Sequence, residues 1–299
     1  MTDLQLTRIG LPTGVTLSVQ LGGPEGAQPI VLLHGFPESH RTWRAVAPEL
    51  ARDYYIVAPD QRGFAGSDKP SEVEAYKADR IVEDLLALAD AFELPRFTLV
   101  GHDWGGAIAW LAALRHPDRI ARLVVVNAPH PLLFQKSVVE DEAQRAASQY
   151  ISAFRNPLME KGIEAMGLET FFAKTFGSHA DLSAIPLEEK KAYLDDWSRP
   201  GALTAMLNWY RASEIVVPEI GEEVSAPLWT KMPFPRVEVP TLVIWGLKDQ
   251  ALLPVQLEGL HDLVADLRIV AIVDAGHFVP WEKPAPVVAA IRDFMATPA

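Results

Sequence analysis

The sequence predicts an α/β protein: a mostly parallel sheet of eight strands flanked by helices, with one helical insertion after the sixth strand. Three observations predict it. Short β-branched apolar runs alternate with amphipathic helical stretches as far as residue 130, the order of repeated strand–helix units. The alternation resumes at Arg236 and runs on to a last helix. Between Pro131 and Pro235 it lapses into helical periodicity with few strand candidates.

Residues 5–9 and 16–21 read as the first strands and as an antiparallel edge. Strands at 29–33, 55–58, 97–100 and 123–127 follow, the later ones nearly all apolar, as burial on both faces requires. The insertion carries Tyr150, Phe154, Phe171, Phe172, Phe176, Tyr193, Trp197, Trp209 and Tyr210, and is expected to lie on the loop edge of the sheet. The stretch APLWTKMPFPRVEVP, residues 226–240, is the return connection, because proline fixes φ and interrupts both helix and ladder. Strands at 241–245 and 268–273, a helix at 255–264 between them and a closing helix at 284–296 complete the order. The expected division is a core of residues 1–130 and 236–299 with a helical cap at 131–235.

Composition excludes several functions. Of 299 residues, 49% are hydrophobic and 22% charged, the balance of an ordinary globular protein. The formal charge of −12 has the wrong sign for neutralising phosphate backbones, so no nucleic-acid partner is expected. The absence of cysteine removes disulfides, thiolate nucleophiles and cysteine-ligated metals. The start has no basic stretch followed by an apolar one, and no apolar run reaches the ~18 residues of a membrane span. A cytoplasmic protein, monomer or homodimer, is expected.

The chemistry begins at Gly101-His102-Asp103-Trp104-Gly105-Gly106, where an apolar strand turns into a helix through a G-x-nucleophile-x-G turn. Such a turn strains its central residue and tolerates no bulk at the glycines. The central residue is Asp103 rather than serine, and a carboxylate attacks an electrophilic carbon by displacement, leaving an alkyl ester. The simpler alternative is that Asp103 only caps the helix that follows. Downstream, the strand Thr241 to Trp245 runs into a loop carrying Asp249, and the last strand runs into a loop carrying His277. A parallel sheet puts all these strand ends on one edge, where open α/β sheets bind ligands. Earlier, Ile30 to Leu33 leads into His34-Gly35-Phe36-Pro37, a loop whose backbone N–H commonly helps to hold an oxyanion. The donors are expected to be the N–H groups of Phe36 and Trp104, with His34 bracing the loop.

These residues resemble the α/β-hydrolase superfamily over essentially the whole chain and, within it, the epoxide hydrolases. His34-Gly35-Phe36-Pro37 is similar to that family's oxyanion loop, and Asp60-Gln61-Arg62-Gly63-Phe64-Ala65-Gly66-Ser67 resembles its D-x-R-G-x-G-x-S loop. The resemblance implies two cap tyrosines that bind the epoxide oxygen. Leu207-Asn208-Trp209-Tyr210-Arg211 resembles one tyrosine segment, and Tyr150 falls in the other, with Tyr193 in reserve. The implied reaction turns a small apolar epoxide and water into a vicinal diol. Asp103 is the nucleophile, His277 oriented by Asp249 activates water, Phe36, Trp104, Tyr150 and Tyr210 contact substrate, and no metal or organic cofactor is required. Haloalkane dehalogenases share the aspartate and the tryptophan that follows it, and the pair of tyrosines sets this chain apart from them; fluoroacetate dehalogenase resembles the H-G-F-P loop, but its arginine after the nucleophile is Trp104 here. A hydrolase-fold receptor that binds a ligand without turnover is opposed by the intact Asp103, Asp249 and His277.

Overall fold

The computed structural model describes residues 4–177 and 179–297. Eight strands form one sheet: β1 (Gln5–Gly10), β2 (Thr16–Gly22), β3 (Pro29–Leu33), β4 (Tyr55–Pro59), β5 (Phe97–His102), β6 (Ile120–Val126), β7 (Thr241–Gly246) and β8 (Leu267–Ile272). Their order across the sheet is β1-β2-β4-β3-β5-β6-β7-β8. β2 pairs antiparallel with both β1 and β4, as the edge reading expects, and every other pairing is parallel. Strand order reverses between β3 and β5, so the loops leaving these neighbours open a crevice at their carboxyl ends.

Two-residue alternation fills both faces. Val31, Leu33, Leu99, Leu123, Val125 and Val243 join the core on one side. Ile30, Leu32, Val100, Val124, Val126 and Ile244 join the core on the other, under the closing helix Pro284–Ala296. The helix Ala78–Ala91 turns Ile81, Val82, Leu85, Leu88 and Ala89 inward, the spacing of a single helical face.

Between β6 and β7 the described residues fold into seven helices, from Pro131–Glu140 to Ala202–Arg211, as the aromatic periodicity predicts. Two local expectations are corrected. The helix expected at 255–264 is divided into a 3-10 turn, Pro254–Leu257, and a short helix, Leu260–Leu263, because Gly259 between them sits at φ +79°, outside the right-handed helical region. β6 starts earlier than expected and stops before Asn127, which leaves the ladder at φ +40°.

The loop after β4 joins the two layers. Arg62 donates from Nε and Nη2 to the two oxygens of Asp84, each at 2.7 Å, and both side chains are buried. The Arg62 carbonyl accepts the Trp209 indole N–H at 3.0 Å, fixing the helix that carries Tyr210. Arg62→Ala leaves a buried carboxylate without its cation, which costs about 3–5 kcal/mol. A fall in Tm of about 5–8 °C is expected in a thermal melt.

Candidate active site

The turn after β5 aims one carboxylate into the crevice. Asp103 lies at φ +51°, ψ −123°, and its side chain makes no capping hydrogen bond to the helix Trp104–Arg115 that it precedes. The capping alternative therefore fails, and the strain serves to present the carboxyl group. The glycines are needed for close approach: a Cβ on Gly105 would lie 2.4 Å from the Leu33 carbonyl oxygen, and one on Gly35 would lie 2.2 Å from Asp103 Oδ1. Because β3 and β5 are neighbours, the Phe36 N–H reaches Asp103 Oδ1 at 2.7 Å. The Trp104 amide is the first of its helix and takes no part in the helical ladder.

The strand ends converge as the parallel sheet predicts. His277 Nδ1 is 2.7 Å from Asp249 Oδ2, and Nε2 is 3.6 Å from Asp103 Oδ2. Asp249 Oδ1 accepts the N–H groups of Ala251 and Leu252, both at 2.9 Å. Asn127, which motif reading passes over, donates to Asp249 Oδ2 at 2.7 Å and accepts the Gly246 N–H at 2.8 Å. The available signal was a polar residue closing the apolar run Leu123 to Val126. Burial pushes the Asp249 carboxyl up, but His277, the Leu252 amide and Asn127 outweigh it and hold it below the usual carboxylate range. Burial likewise opposes ionisation of Asp103, and His277, with the Phe36 amide, again overcomes it. His277 is disfavoured as a cation by burial, yet the carboxylates on either side raise its pKa well above the ordinary value. The two carboxylates on either side thus favour the charged imidazolium.

His34 braces its loop, as expected. Its Nδ1 is 2.8 Å from the Gly35 carbonyl oxygen, its Nε2 accepts the Gln61 N–H at 2.9 Å, and burial lowers its pKa to about 4.

A second buried carboxyl, Glu38, was not legible as part of the site. Its Oε1 accepts the Tyr193 hydroxyl at 3.0 Å and the Trp281 indole N–H at 3.1 Å. Burial pushes its pKa up to about 7. Its Oε2 faces His102 Nδ1 at 3.6 Å, and His102 Nε2 is bound to the His277 carbonyl oxygen at 2.8 Å. A carboxyl raised on folding stabilises the fold below its unfolded pKa, and that contribution is lost as pH rises towards 7. Relative to its Glu38→Gln variant, the parent should lose a few kcal/mol between pH 4.5 and pH 8, measured as a growing difference in Tm.

A cavity of about 370 Å³ opens over Asp103, bounded there by Trp104, Tyr150 and Tyr210. The two tyrosine rings stand 6.0 Å apart, edge to face. Burial and then the Asp103 charge raise both phenols well above their usual pKa, so both stay protonated as donors. Arg155 fixes the helices that carry them to each other, donating from Nε to the Tyr210 carbonyl and from Nη2 to the Ser213 hydroxyl. Tyr193, the reserve candidate, lies outside this cavity with its hydroxyl bound to Glu38. Phe36 packs on Tyr210 at 5.0 Å but is absent from the cavity lining, so of the four expected contacts it offers its backbone. Two other indole N–H groups are occupied, Trp197 on the Pro37 carbonyl and Trp209 on that of Arg62. Among the described residues no group of acidic and histidine side chains is placed to hold a metal ion, and no helix is long and apolar enough to cross a membrane.

Comparison with known proteins agrees with this geometry. The family model for the alpha/beta hydrolase fold matches residues 28–284. Epoxide hydrolase 3 of Xenopus tropicalis is 34% identical, over 95% of this chain and 75% of that one. The AB hydrolase superfamily protein YfhM of Bacillus subtilis is 32% identical, over 94% and 95%. A solved structure, described among novel epoxide hydrolases from metagenomes of hot environments, superposes with a TM-score of 0.91 at 45% identity, covering 99% of this chain and 100% of that one.

Proposed function

The chain belongs to the α/β-hydrolase family, and we propose that it hydrolyses apolar epoxides to vicinal diols through an alkyl ester on Asp103. The observation that carries the reading is a carboxylate nucleophile facing two protonated tyrosines across one cavity. Asp103 Oδ2 attacks a ring carbon and the C–O bond breaks, while Tyr150 and Tyr210 hydrogen-bond the departing oxygen and one of them protonates it. The resting imidazolium returns that proton to the phenolate.

Esterification also changes the electrostatics of His277. One of its two flanking carboxylates becomes a neutral ester, so the pKa falls and the imidazole becomes a base. It takes a proton from water, which attacks the Asp103 carbonyl carbon. The negative charge develops on Oδ1, where the Phe36 N–H already donates, with the Trp104 N–H as second donor. Collapse expels the diol oxygen, which takes the proton of the restored carboxylic acid. The apolar residues that divide the 1–130 and 236–299 core from the cap then serve to keep bulk water off the ester.

Halide release is disfavoured by the same contacts. A dehalogenase needs two N–H donors free to hold the leaving halide; Trp104 offers one at the cavity, but Trp197 and Trp209 spend theirs on backbone carbonyls. The test assays purified protein on styrene oxide and other apolar epoxides, scoring diol, and on haloalkanes and fluoroacetate, scoring halide. Diol without halide supports the reading; halide without diol overturns it. Within the reading, Tyr150→Phe and Tyr210→Phe should each lower the rate of ester formation about 10-fold or more. The double variant should lose about 10²–10⁴-fold, read in single-turnover kinetics.

A further inference from the structure

The cavity is one-sided. Its floor is one stripe of the helix that follows the nucleophile, Trp104, Ala107, Ile108, Leu111 and Arg115, positions three or four apart. From Trp104 to Arg115 that stripe rises about 16 Å at the α-helical pitch. It starts at the buried Asp103 and ends in solvent, where Arg115 pairs with Asp79 and both side chains are about half exposed or more. Phe134, Ile151 and Leu252 close the walls, so the passage between the nucleophile and the mouth is apolar. Phe36, whose amide donates to Asp103, packs on Phe154 and on Tyr210, each at 5.0 Å, and neither phenylalanine lines the cavity. Among the described residues none from the helices Leu168–Gly177 or Leu187–Trp197 reaches the cavity. At the mouth Lys77 and Arg115 are balanced by Asp79 and Glu214, so nothing there selects a charged end.

We propose that the site takes terminal epoxides bearing a single long, uncharged apolar arm, which lies along the helix Trp104–Arg115 and is gauged by Ile108 and Leu111. The proposal rests on the epoxide reading above. An epoxide substituted on both carbons has to put its second arm where Phe36 and Phe154 stand, whereas a terminal epoxide leaves only hydrogen on that side. Each methylene of the permitted arm leaves water for apolar wall.

The test measures kcat/KM for diol formation on terminal epoxyalkanes from propylene oxide to epoxydecane, and on isomers of the longer ones with the ring in mid-chain. The rate constant is expected to rise about three- to fourfold per methylene, the value of burying one such group. A terminal epoxide should exceed its mid-chain isomer by about tenfold or more. In Leu111→Trp, whose indole fills the passage midway, the ratio of long-arm to short-arm kcat/KM should fall by about tenfold. A general loss of folded enzyme scales all substrates alike and leaves that ratio where it was. Mid-chain isomers turned over as well as terminal ones, a flat series in the parent, or an unchanged ratio in Leu111→Trp each overturn the proposal. The first two need no variant, so they hold even if Leu111→Trp does not fold. Absence of diol from every epoxide, propylene oxide included, overturns the epoxide reading itself.

Discussion

Asp103→Ala is expected to abolish diol formation on every epoxide while leaving a folded protein. The loss should be complete because no other carboxylate can take over. Asp249 is turned away from the cavity, with one oxygen on His277 and Asn127 and the other on the Ala251 and Leu252 amides. Glu38 lies behind His102, outside the cavity lining. The fold should survive because the Asp103 side chain makes no helix cap, and His277, which loses it as a neighbour, keeps its bond to Asp249. The strain at φ +51° is borne by aspartate and alanine alike, so Tm should change little. A variant that melts cooperatively and forms no diol supports the nucleophile. One that retains even a tenth of the parent's diol rate contradicts it, because water added directly to the ring would then account for the product.

The convergence of Asp103, Asp249 and His277, the proposed nucleophile, acid and base, is legible in the sequence because each follows an apolar strand, and parallel strands deliver their ends to one edge. The tyrosines were a different case. They sit on helices of the insertion, whose packing no periodicity specifies, so Tyr150 and Tyr193 could be separated only when one was found in the cavity and the other on Glu38. Asn127 and Glu38 escaped because their roles are made by contacts across the chain: Asn127 meets a loop 122 residues later, and Glu38 meets Trp281 243 residues later. The helix expected at 255–264 failed on one residue, Gly259, whose left-handed conformation is a local choice that apolar spacing does not report. What the strands deliver is legible; what the inserted helices bring to meet them is not.

His277→Gln should separate the two chemical steps. In the proposed mechanism His277 has opposite duties: as a cation it stabilises the ionised Asp103, and after esterification it must be without its proton to activate water. Glutamine keeps a hydrogen-bonding group of similar reach but cannot accept a proton at neutral pH. The bond-making part of ester formation needs the carboxylate and the tyrosines, with water in place of His277 returning the proton to the phenolate, so it should proceed, whereas ester hydrolysis should slow by about 10²–10⁴-fold. The expected result is a burst approaching one equivalent of epoxide consumed per enzyme. Intact-protein mass spectrometry should then show a species heavier by one epoxide, and peptide mapping should place it on Asp103. In the parent, breakdown of the ester should rise with pH as His277 loses its proton. Ester formation should be flat through neutrality, because Asp103 is held below the usual carboxylate range and stays ionised there. A His277→Gln protein that binds epoxide, carries no adduct and makes no diol would show that the imidazolium is required for the first step, and would move the argument from water activation to charge stabilisation of the nucleophile.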